Sequence, residues 1–149
     1  MYSVKVKDVV PLEGMNLLVF FEDGALKKYD VAQIIPDYPE YEALRDRALF
    51  ERVTVEPGGY GISWNETLDC SEGELYENGV AIPLSQDDFY AFVRHNVLNA
   101  KEACDILGCT KQNLDGLVKR GTIVPIKNYP KGRLFLRSDI VRRKRRTEL

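Results

Sequence analysis

The chain has 149 residues, of which 44% are hydrophobic and 30% are charged, and its formal net charge is −2 at pH 7. This length suffices for one domain or two small ones, and the composition is that of a soluble globular protein. No segment approaches a membrane span, and Met1 to Val10 alternates Val with Lys and Asp, unlike a signal peptide. We therefore expect a cytoplasmic protein that does not contact membranes.

The first 84 residues predict a small acidic α+β domain built on antiparallel strands. The predicted elements are strands at 4–10, 17–22 and 26–29, a helix at 38–49, a hairpin of strands 50–55 and 60–64 around Pro57-Gly58-Gly59, and a polar turn at 72–74. Asp23-Gly24 is a typical turn between the second and third strands. The runs are short and bounded by turn residues, which favours an antiparallel sheet over a parallel one.

Residues 1–78 resemble the small bacterial domain of unknown function 2442. The residues that carry the resemblance are Val9-Val10-Pro11-Leu12, the strand Leu17 to Phe21 with Glu22-Asp23-Gly24, Tyr29-Asp30, Phe50, Val53, Val55, Gly61-Ile62, Trp64 and Leu68-Asp69. The resemblance implies an α+β fold and occasional fusion to helix-turn-helix modules. Standalone members resemble the small partners of toxin-antitoxin pairs, and the resemblance implies no known chemistry.

Residues 85–97 predict a helix that links two domains. Ser85 and Asp88 form a capping signal, and Phe89, Phe92 and Val93 fall on one helical face together with Val97. This apolar face has three interpretations, which the sequence leaves open. It is core for the first domain, a docking surface for the second, or half of a dimer interface.

The stretch from Leu98 to Gly121 predicts two short helices joined by a tight turn. Asn99 and Glu102 form a capping box at the start of the first helix, and Gly108 supplies a left-handed stop. Thr110 can then cap a second helix, which Gly121 closes. This pattern is typical of a helix-turn-helix. An ordinary αα-hairpin is the alternative, but it requires neither this turn length nor a polar outer face.

The second helix of this pair has one apolar face and one polar face. Leu114, Leu117 and Val118 recur at the spacing of a buried stripe. The helical rotation of about 100° per residue places Gln112, Gly116 and Lys119 outward, flanked by Asn113, Asp115 and Arg120. These side chains suit a DNA groove.

The last part of the chain predicts a hairpin and a basic helix. Residues 123–127 and 133–136 are short apolar runs separated by a hairpin signal, and Ser138-Asp139 caps the helix. Residues 98–140 thereby resemble the winged helix-turn-helix of the MerR and phage-excisionase type. The resemblance is carried by Leu98, Lys101, Glu102, Ala103, Leu107, Gly108, Thr110-Lys111-Gln112, Lys119-Arg120-Gly121, Gly132-Arg133 and Ser138-Asp139-Ile140. That family usually has a larger residue than Gly116 and rarely an acid such as Asp115.

The charges divide along the chain in the same way as the domains. Residues 1–97 contain 8 Lys and Arg against 18 Asp and Glu, a net charge of −10, whereas residues 98–149 contain 13 against 5, a net charge of +8. Phosphates attract only the basic part, so the division is typical of a DNA-binding module joined to a sensing or partner-binding module. Basic helical tails that arise by chance are the alternative.

Neither a metal centre nor an active site is predicted. Cys70, Cys104 and Cys109 cannot all pair and are interpreted as structural thiols. A metal clip at Cys104 and Cys109 would need two more soft ligands, and only His95 and Cys70 remain. No nucleophile lies beside a base in a known motif, and the chain has no phosphate-binding glycine loop, so we expect neither a cofactor nor an enzyme.

We therefore predict a transcriptional regulator with an acidic domain at 1–84, a linking helix at 85–97 and a basic winged helix-turn-helix domain at 98–149. The predicted DNA-binding residues are Thr110, Lys111, Gln112, Asn113, Asp115, Gly116, Lys119, Arg120, Lys131, Arg133, Arg142 and Arg143. Double-stranded DNA is the predicted partner, and the first domain is assigned to sensing, homodimerisation or binding of a protein. The alternative function is an antitoxin-like interaction module whose acidic domain masks a basic toxin.

Overall fold

The computed structural model describes residues 3–147 of the chain, which divides into two compact units, Met1–Gln86 and Asp87–Leu149. Helices are mixed with sheets whose strands pair antiparallel throughout the described residues, which agrees with the predicted α+β class. Within residues 3–147, every helix is too short or too polar to cross a bilayer.

The first unit contains two small sheets. Its elements are β1 (Val6–Pro11), β2 (Asn16–Phe21), β3 (Leu26–Asp30), α1 (Arg47–Phe50), β4 (Thr54–Val55), β5 (Gly61–Ser63), β6 (Asp69–Ser71), α2 (Glu72–Asn78) and β7 (Val80–Ala81), with 3₁₀ helices at Val31–Ile34, Pro39–Arg45 and Pro57–Gly59. One sheet has the strand order β1-β2-β3-β7 and the other has the order β4-β5-β6.

The core of the first unit follows from the alternation of side chains along β2. Leu17, Val19 and Phe21 lie on one face of the sheet and are fully buried. The indole of Trp64 belongs to the same core, and its Nε1 donates to the carbonyl of Phe50 at 3.1 Å. Burial of this polar group is therefore compensated by a hydrogen bond.

Three predictions for the first unit are wrong in detail. The helix predicted over 38–49 is a 3₁₀ helix followed by the single turn α1, because Asp46 adopts extended backbone and its side chain caps α1. The strands predicted at 50–55 and 60–64 shrink to β4 and β5, since residues before β4 form α1 and its closing turn. The turn predicted at 72–74 is the start of α2, where Ser71 Oγ accepts from the Glu74 amide at 3.2 Å.

The remaining elements belong to the second unit, apart from the first residue of its opening helix. They are α3 (Gln86–Asn96), β8 (Val97–Leu98), α4 (Ala100–Leu107), α5 (Lys111–Lys119), β9 (Lys127–Tyr129), β10 (Gly132–Leu136) and α6 (Arg137–Thr147). The strand order of the sheet is β8-β10-β9. Val97 pairs with Leu136, so the helix predicted over 85–97 ends before Val97. Phe92 is 53% exposed, which excludes it from a core.

The second unit has a core of its own. Its buried residues come from the two short helices, the strands and α6, and they are Leu98, Ala103, Leu114, Leu117, Ile123, Phe135 and Ile140. Because α4, α5, β10 and α6 each contribute to this core, the positions of these four elements are fixed with respect to one another.

Candidate nucleic-acid interface

The turn between α4 and α5 forms as its sequence predicts. Asn99 Oδ1 accepts from the Glu102 amide at 2.8 Å, and Glu102 Oε1 accepts from the Asn99 amide at 3.0 Å, which completes the capping box. Gly108 has a φ of 67°, and its amide donates to the carbonyl of Cys104 at 2.8 Å. The left-handed glycine thus ends α4 and directs the chain into α5.

Helix α5 buries one face and exposes the other. Thr110 Oγ1 caps it by accepting from the Asn113 amide at 3.1 Å. Leu114 and Leu117 are buried in the core of the second unit. The exposed residues are Lys111, Gln112, Asn113, Lys119 and Arg120, while Asp115 and Gly116 are half-buried. The predicted division between apolar and polar faces is therefore present.

The hairpin after α5 begins later than predicted. A first strand was predicted at 123–127. In the structure Ile123 is buried in the core, and strand pairing with β10 begins only at Lys127. Lys127 then pairs with Leu134, and Gly132 pairs with Tyr129 across the turn. The turn itself contains Lys131, whose side chain is exposed.

An ion pair joins the hairpin to α5. Arg133 Nη1 donates to Asp115 Oδ1 at 2.7 Å, and both side chains are partly shielded from solvent. A concavity of about 310 Å³ lies beside this pair, lined by Lys111, Asp115, Tyr129, Pro130, Lys131, Gly132 and Arg133. The sequence interpretation missed Tyr129 and Pro130, since nothing in their local pattern marks them as neighbours of α5.

A second concavity of about 320 Å³ lies on the opposite side of α5. It is lined by Leu107, Cys109, Gln112, Asn113, Gly116, Leu117, Arg120, Arg143 and Thr147. Helix α5 is therefore a ridge between two grooves, with basic residues in each. Thr147 was missed by the sequence interpretation, because no signal near the end of α6 indicates that it approaches α5.

Helix α6 carries the remaining predicted residues, Arg142 and Arg143, and only Arg143 lines the groove beside α5. It begins at Arg137, so Ser138 and Asp139 lie inside the helix and the predicted cap is wrong; Arg137 Nε instead donates to the carbonyl of His95 at 2.8 Å. Arg143 lines the groove beside α5. Arg142 pairs with Asp139 at 3.5 Å and lines a different concavity with Thr122 to Val124. Arg143 lines that concavity too, so the structure brings the two arginines together there, but only Arg143 reaches the groove beside α5.

The cysteines of the chain are free, and two of them have raised pKa values. Burial raises the pKa of the Cys70 thiol to about 12, with the Glu74 carboxylate as a further cause. Burial also raises the pKa of the Cys104 thiol, which lies beside the thiol of Cys109. Within residues 3–147, no three His, Cys, Asp or Glu side chains are grouped to hold a metal ion.

Comparison with known proteins places the first unit in a family. Residues 6–81 match the family described as Protein of unknown function (DUF2442). The chain belongs to this family. The DUF2442 match begins with β1 and ends with β7, so it spans both sheets of the first unit. The resemblance predicted for this part of the chain is thereby confirmed.

The DUF2442 protein is also similar to one solved structure, "Putative DNA Binding Protein NE0471" from Nitrosomonas europaea ATCC 19718. The two chains are 22% identical with a TM-score of 0.46, and the match covers 85% of this chain and 84% of that chain. No curated protein matches the DUF2442 protein.

Proposed function

We propose that this DUF2442 protein is a sequence-specific DNA-binding protein, a transcriptional regulator, whose second unit is a winged helix-turn-helix. The observation that carries the proposal is the ridge formed by α5 between two grooves that both contain basic side chains. An ordinary αα-hairpin would need only the buried face of α5, and its exposed face would need no cationic flanks. The net charge of +8 in residues 98–149 supports the same conclusion.

In the proposed mechanism, α5 enters the major groove by its N-terminal end. Lys111 and Gln112 lie in the first turn of α5 and are exposed, so they are the side chains nearest to the base edges. Gln112 can donate and accept simultaneously toward an adenine, which makes it the residue that discriminates between base pairs. No catalytic residue, metal or cofactor is part of this mechanism.

The phosphate contacts come from residues around the ridge. Asn113 and Lys119 are exposed on α5, and Lys131 is exposed at the tip of the hairpin, which acts as the wing. Contacts to phosphates add affinity and fix the register of the helix on the duplex without reading sequence. Arg133 holds the wing against α5 through Asp115 and adds a positive charge to the same groove.

The first unit supplies a second, compatible role in binding a protein or a second copy of the chain. Residues 1–97, which contain the first unit, have a net charge of −10, which repels DNA and attracts basic surfaces. An antitoxin-like protein that masks a basic toxin would use this charge. A homodimer would instead use a surface of the first unit to hold two copies of α5 at the spacing of two half-sites.

Selection of bound fragments from random duplex DNA by the full chain tests the proposal. We expect enrichment of one motif, and a palindromic motif would also indicate two copies of α5. The Gln112→Ala variant should enrich a motif with one relaxed position, whereas Lys101→Ala, which removes an exposed charge from α4, should enrich the wild-type motif. No enrichment with the wild-type chain would contradict sequence-specific binding and favour the protein-interaction role.

A further inference from the structure

The groove between α5 and α6 combines basic and polar side chains with the apolar side chains of Leu107 and Leu117. Arg120 and Arg143 line it together with Gln112, Asn113 and Thr147. Among residues 3–147, none of those that line this groove is Asp or Glu. A cavity that gathers positive charge and hydrogen-bond donors without a carboxylate is suited to an anion.

Because Gly116 has no side chain, the Arg120 guanidinium has room to lie close to α5 in this groove. A Cβ atom at residue 116 would lie 3.0 Å from Nη1 of Arg120 and 3.7 Å from its Cζ. The Arg120 side chain therefore turns back along its own helix and lies across the open surface that the glycine leaves. The guanidinium therefore lies at the groove, where it stays accessible to solvent.

Two other arginines of the second unit pair with carboxylates, whereas Arg120 and Arg143 do not. Arg133 pairs with Asp115 and Arg142 pairs with Asp139. Among residues 3–147, Arg120 and Arg143 have no carboxylate within 4.0 Å. Arg133 on the hairpin and Arg142 on α6 are thus paired within the chain, whereas Arg120 and Arg143 are left available for an external anion.

We propose that Arg120 and Arg143 together bind one phosphate group in the groove between α5 and α6. The inference rests on the proposed function, because the phosphate expected there is one of the DNA backbone beside the base pairs that α5 reads. Guanidinium groups match phosphate oxygens through paired hydrogen bonds, and two guanidiniums from different helices surround one phosphate better than a single one does. A free phosphate has the same chemistry, so the test separates the two sources.

The first experiment measures the affinity of the full chain for a 20-base-pair duplex at several salt concentrations. Each neutralised phosphate contributes about 0.9 to the slope of log K against log salt. Arg120→Ala and Arg143→Ala should each weaken binding about tenfold or more at low salt. The double variant should lower the slope by about 0.9, since both arginines share one phosphate.

The control for charge is Lys101→Ala, which removes one exposed positive charge from α4 of the same unit. Its affinity and its slope should stay close to those of the wild-type chain, because screening reduces the effect of distant charges. A double arginine variant whose slope falls by about 1.8 would show that the arginines bind two separate phosphates and would overturn the shared site. Variants that bind like Lys101→Ala would overturn it as well.

The second experiment identifies the source of the phosphate by NMR. Inorganic phosphate and adenosine 5′-monophosphate are titrated into the full chain in the absence of DNA, and the 20-base-pair duplex is titrated into a separate sample. The side-chain Nε–Hε signals of Arg120 and Arg143 are followed in each titration. Shifts that saturate at micromolar phosphate would assign the site to a free anion. Shifts that appear only with duplex DNA would assign it to the backbone.

The two experiments also distinguish failure of the site from failure of the proposed function. If the wild-type chain binds DNA and neither arginine responds in either experiment, the site is wrong and DNA binding stands. If the wild-type chain does not bind DNA but both arginines respond to phosphate, the anion site stands and DNA binding is wrong. If nothing binds and neither arginine signal moves, both proposals are wrong.

Discussion

Arg133 on β10 donates a hydrogen bond of 2.7 Å to Asp115 on α5, so the hairpin and the helix are joined by an ion pair across 18 residues of sequence. An acid in a helix that faces DNA would ordinarily repel phosphates. Here its carboxylate is neutralised by the chain itself, and it orients the arginine that follows the tip of the hairpin. We therefore infer that Asp115 positions the hairpin and that it is not a contact to bases.

Replacement of Asp115 by Asn should change stability little and DNA binding clearly. The side chains of Arg133 and Asp115 are 30% and 39% exposed, so solvent screens the pair and its loss should cost less than about 1 kcal/mol of unfolding free energy. Affinity for unrelated duplexes should rise, because one negative charge is removed and Arg133 is released toward phosphates. Urea denaturation and fluorescence anisotropy with random duplexes measure the two effects, and weaker binding of all duplexes would contradict this account.

Gln112→Ala and Arg133→Ala should affect DNA binding in different ways. Loss of the Gln112 amide should cost about 1 to 3 kcal/mol on the selected site and relax discrimination at one base position, because this side chain lies at the N-terminal end of α5. Arg133→Ala should weaken all sequences alike, since its charge acts on phosphates. Binding is measured on the selected site and on its single-base variants. A uniform loss with both substitutions would show that Gln112 does not face the bases.

Local signals predicted α4 and α5 because each signal acts within a few residues. The capping box of Asn99 and Glu102, the left-handed Gly108 and the cap at Thr110 are all satisfied inside one helical turn, so no distant contact is needed to form them. The cap of α2 by Ser71 is equally local. It was missed because a helix with a single fully buried residue, Leu75, shows no apolar periodicity.

Other features could not be predicted from the sequence because they depend on contacts between distant residues. The pairing of β7 with β3 joins Ala81 to Lys27, and no pattern in either strand specifies that partner. The same reason hides the ion pair of Asp115 with Arg133 and the approach of Arg143 to α5, since both need the packed core of the second unit. The sequence therefore predicted correctly that α5 has one buried apolar face and one exposed polar face. It did not distinguish the arginines that pair within the chain from those that do not.

The first unit should lose stability as the pH rises above 9, and Cys70 should cause part of the loss. Its thiol has an ordinary pKa of 9.0 and a folded pKa of about 12, so the folded chain retains a proton that the unfolded chain releases. The unfolding free energy should therefore fall with pH above 9, by at most about 1.4 kcal/mol per pH unit for one proton, until the folded thiol also ionises. Below pH 9 the thiol is protonated in both states and contributes no slope.

Urea unfolding between pH 8 and 9.8 measures this slope, with the fluorescence of Trp64 as the probe. Trp64 is the one tryptophan of the chain and belongs to the same core as Cys70, so it reports on the first unit. Cys70→Ala should flatten the dependence on pH, whereas Cys109→Ala, in the second unit, should leave it unchanged. Parallel curves for the wild-type chain and Cys70→Ala would show that the Cys70 thiol is not the group that titrates.

Substitutions at Gly116 should separate helix stability from DNA binding. Alanine favours a helix interior over glycine by roughly 0.5 to 1 kcal/mol, and the three atoms nearest to a Cβ at this position belong to the flexible Arg120 side chain. Gly116→Ala should therefore raise the melting temperature and yet weaken DNA binding, because its methyl group displaces the Arg120 guanidinium from the groove. Gly73→Ala is the matched control, since Gly73 lies in α2 with open space around it and outside the proposed interface. It should stabilise the first unit without changing DNA affinity.

Gly116→Leu extends the same test from displacement of Arg120 to filling of the groove. The groove of about 320 Å³ is open to solvent and can accept a leucine side chain without disturbing the core, so the variant should fold with a melting temperature near that of the wild-type chain. Sequence-specific binding should be lost, because the leucine occupies the surface through which α5 approaches DNA. Thermal unfolding and anisotropy on the selected duplex are measured for both Gly116 variants. If Gly116→Leu binds the selected site with wild-type affinity, Gly116 lies outside the interface and the ridge of α5 contacts DNA through a different face.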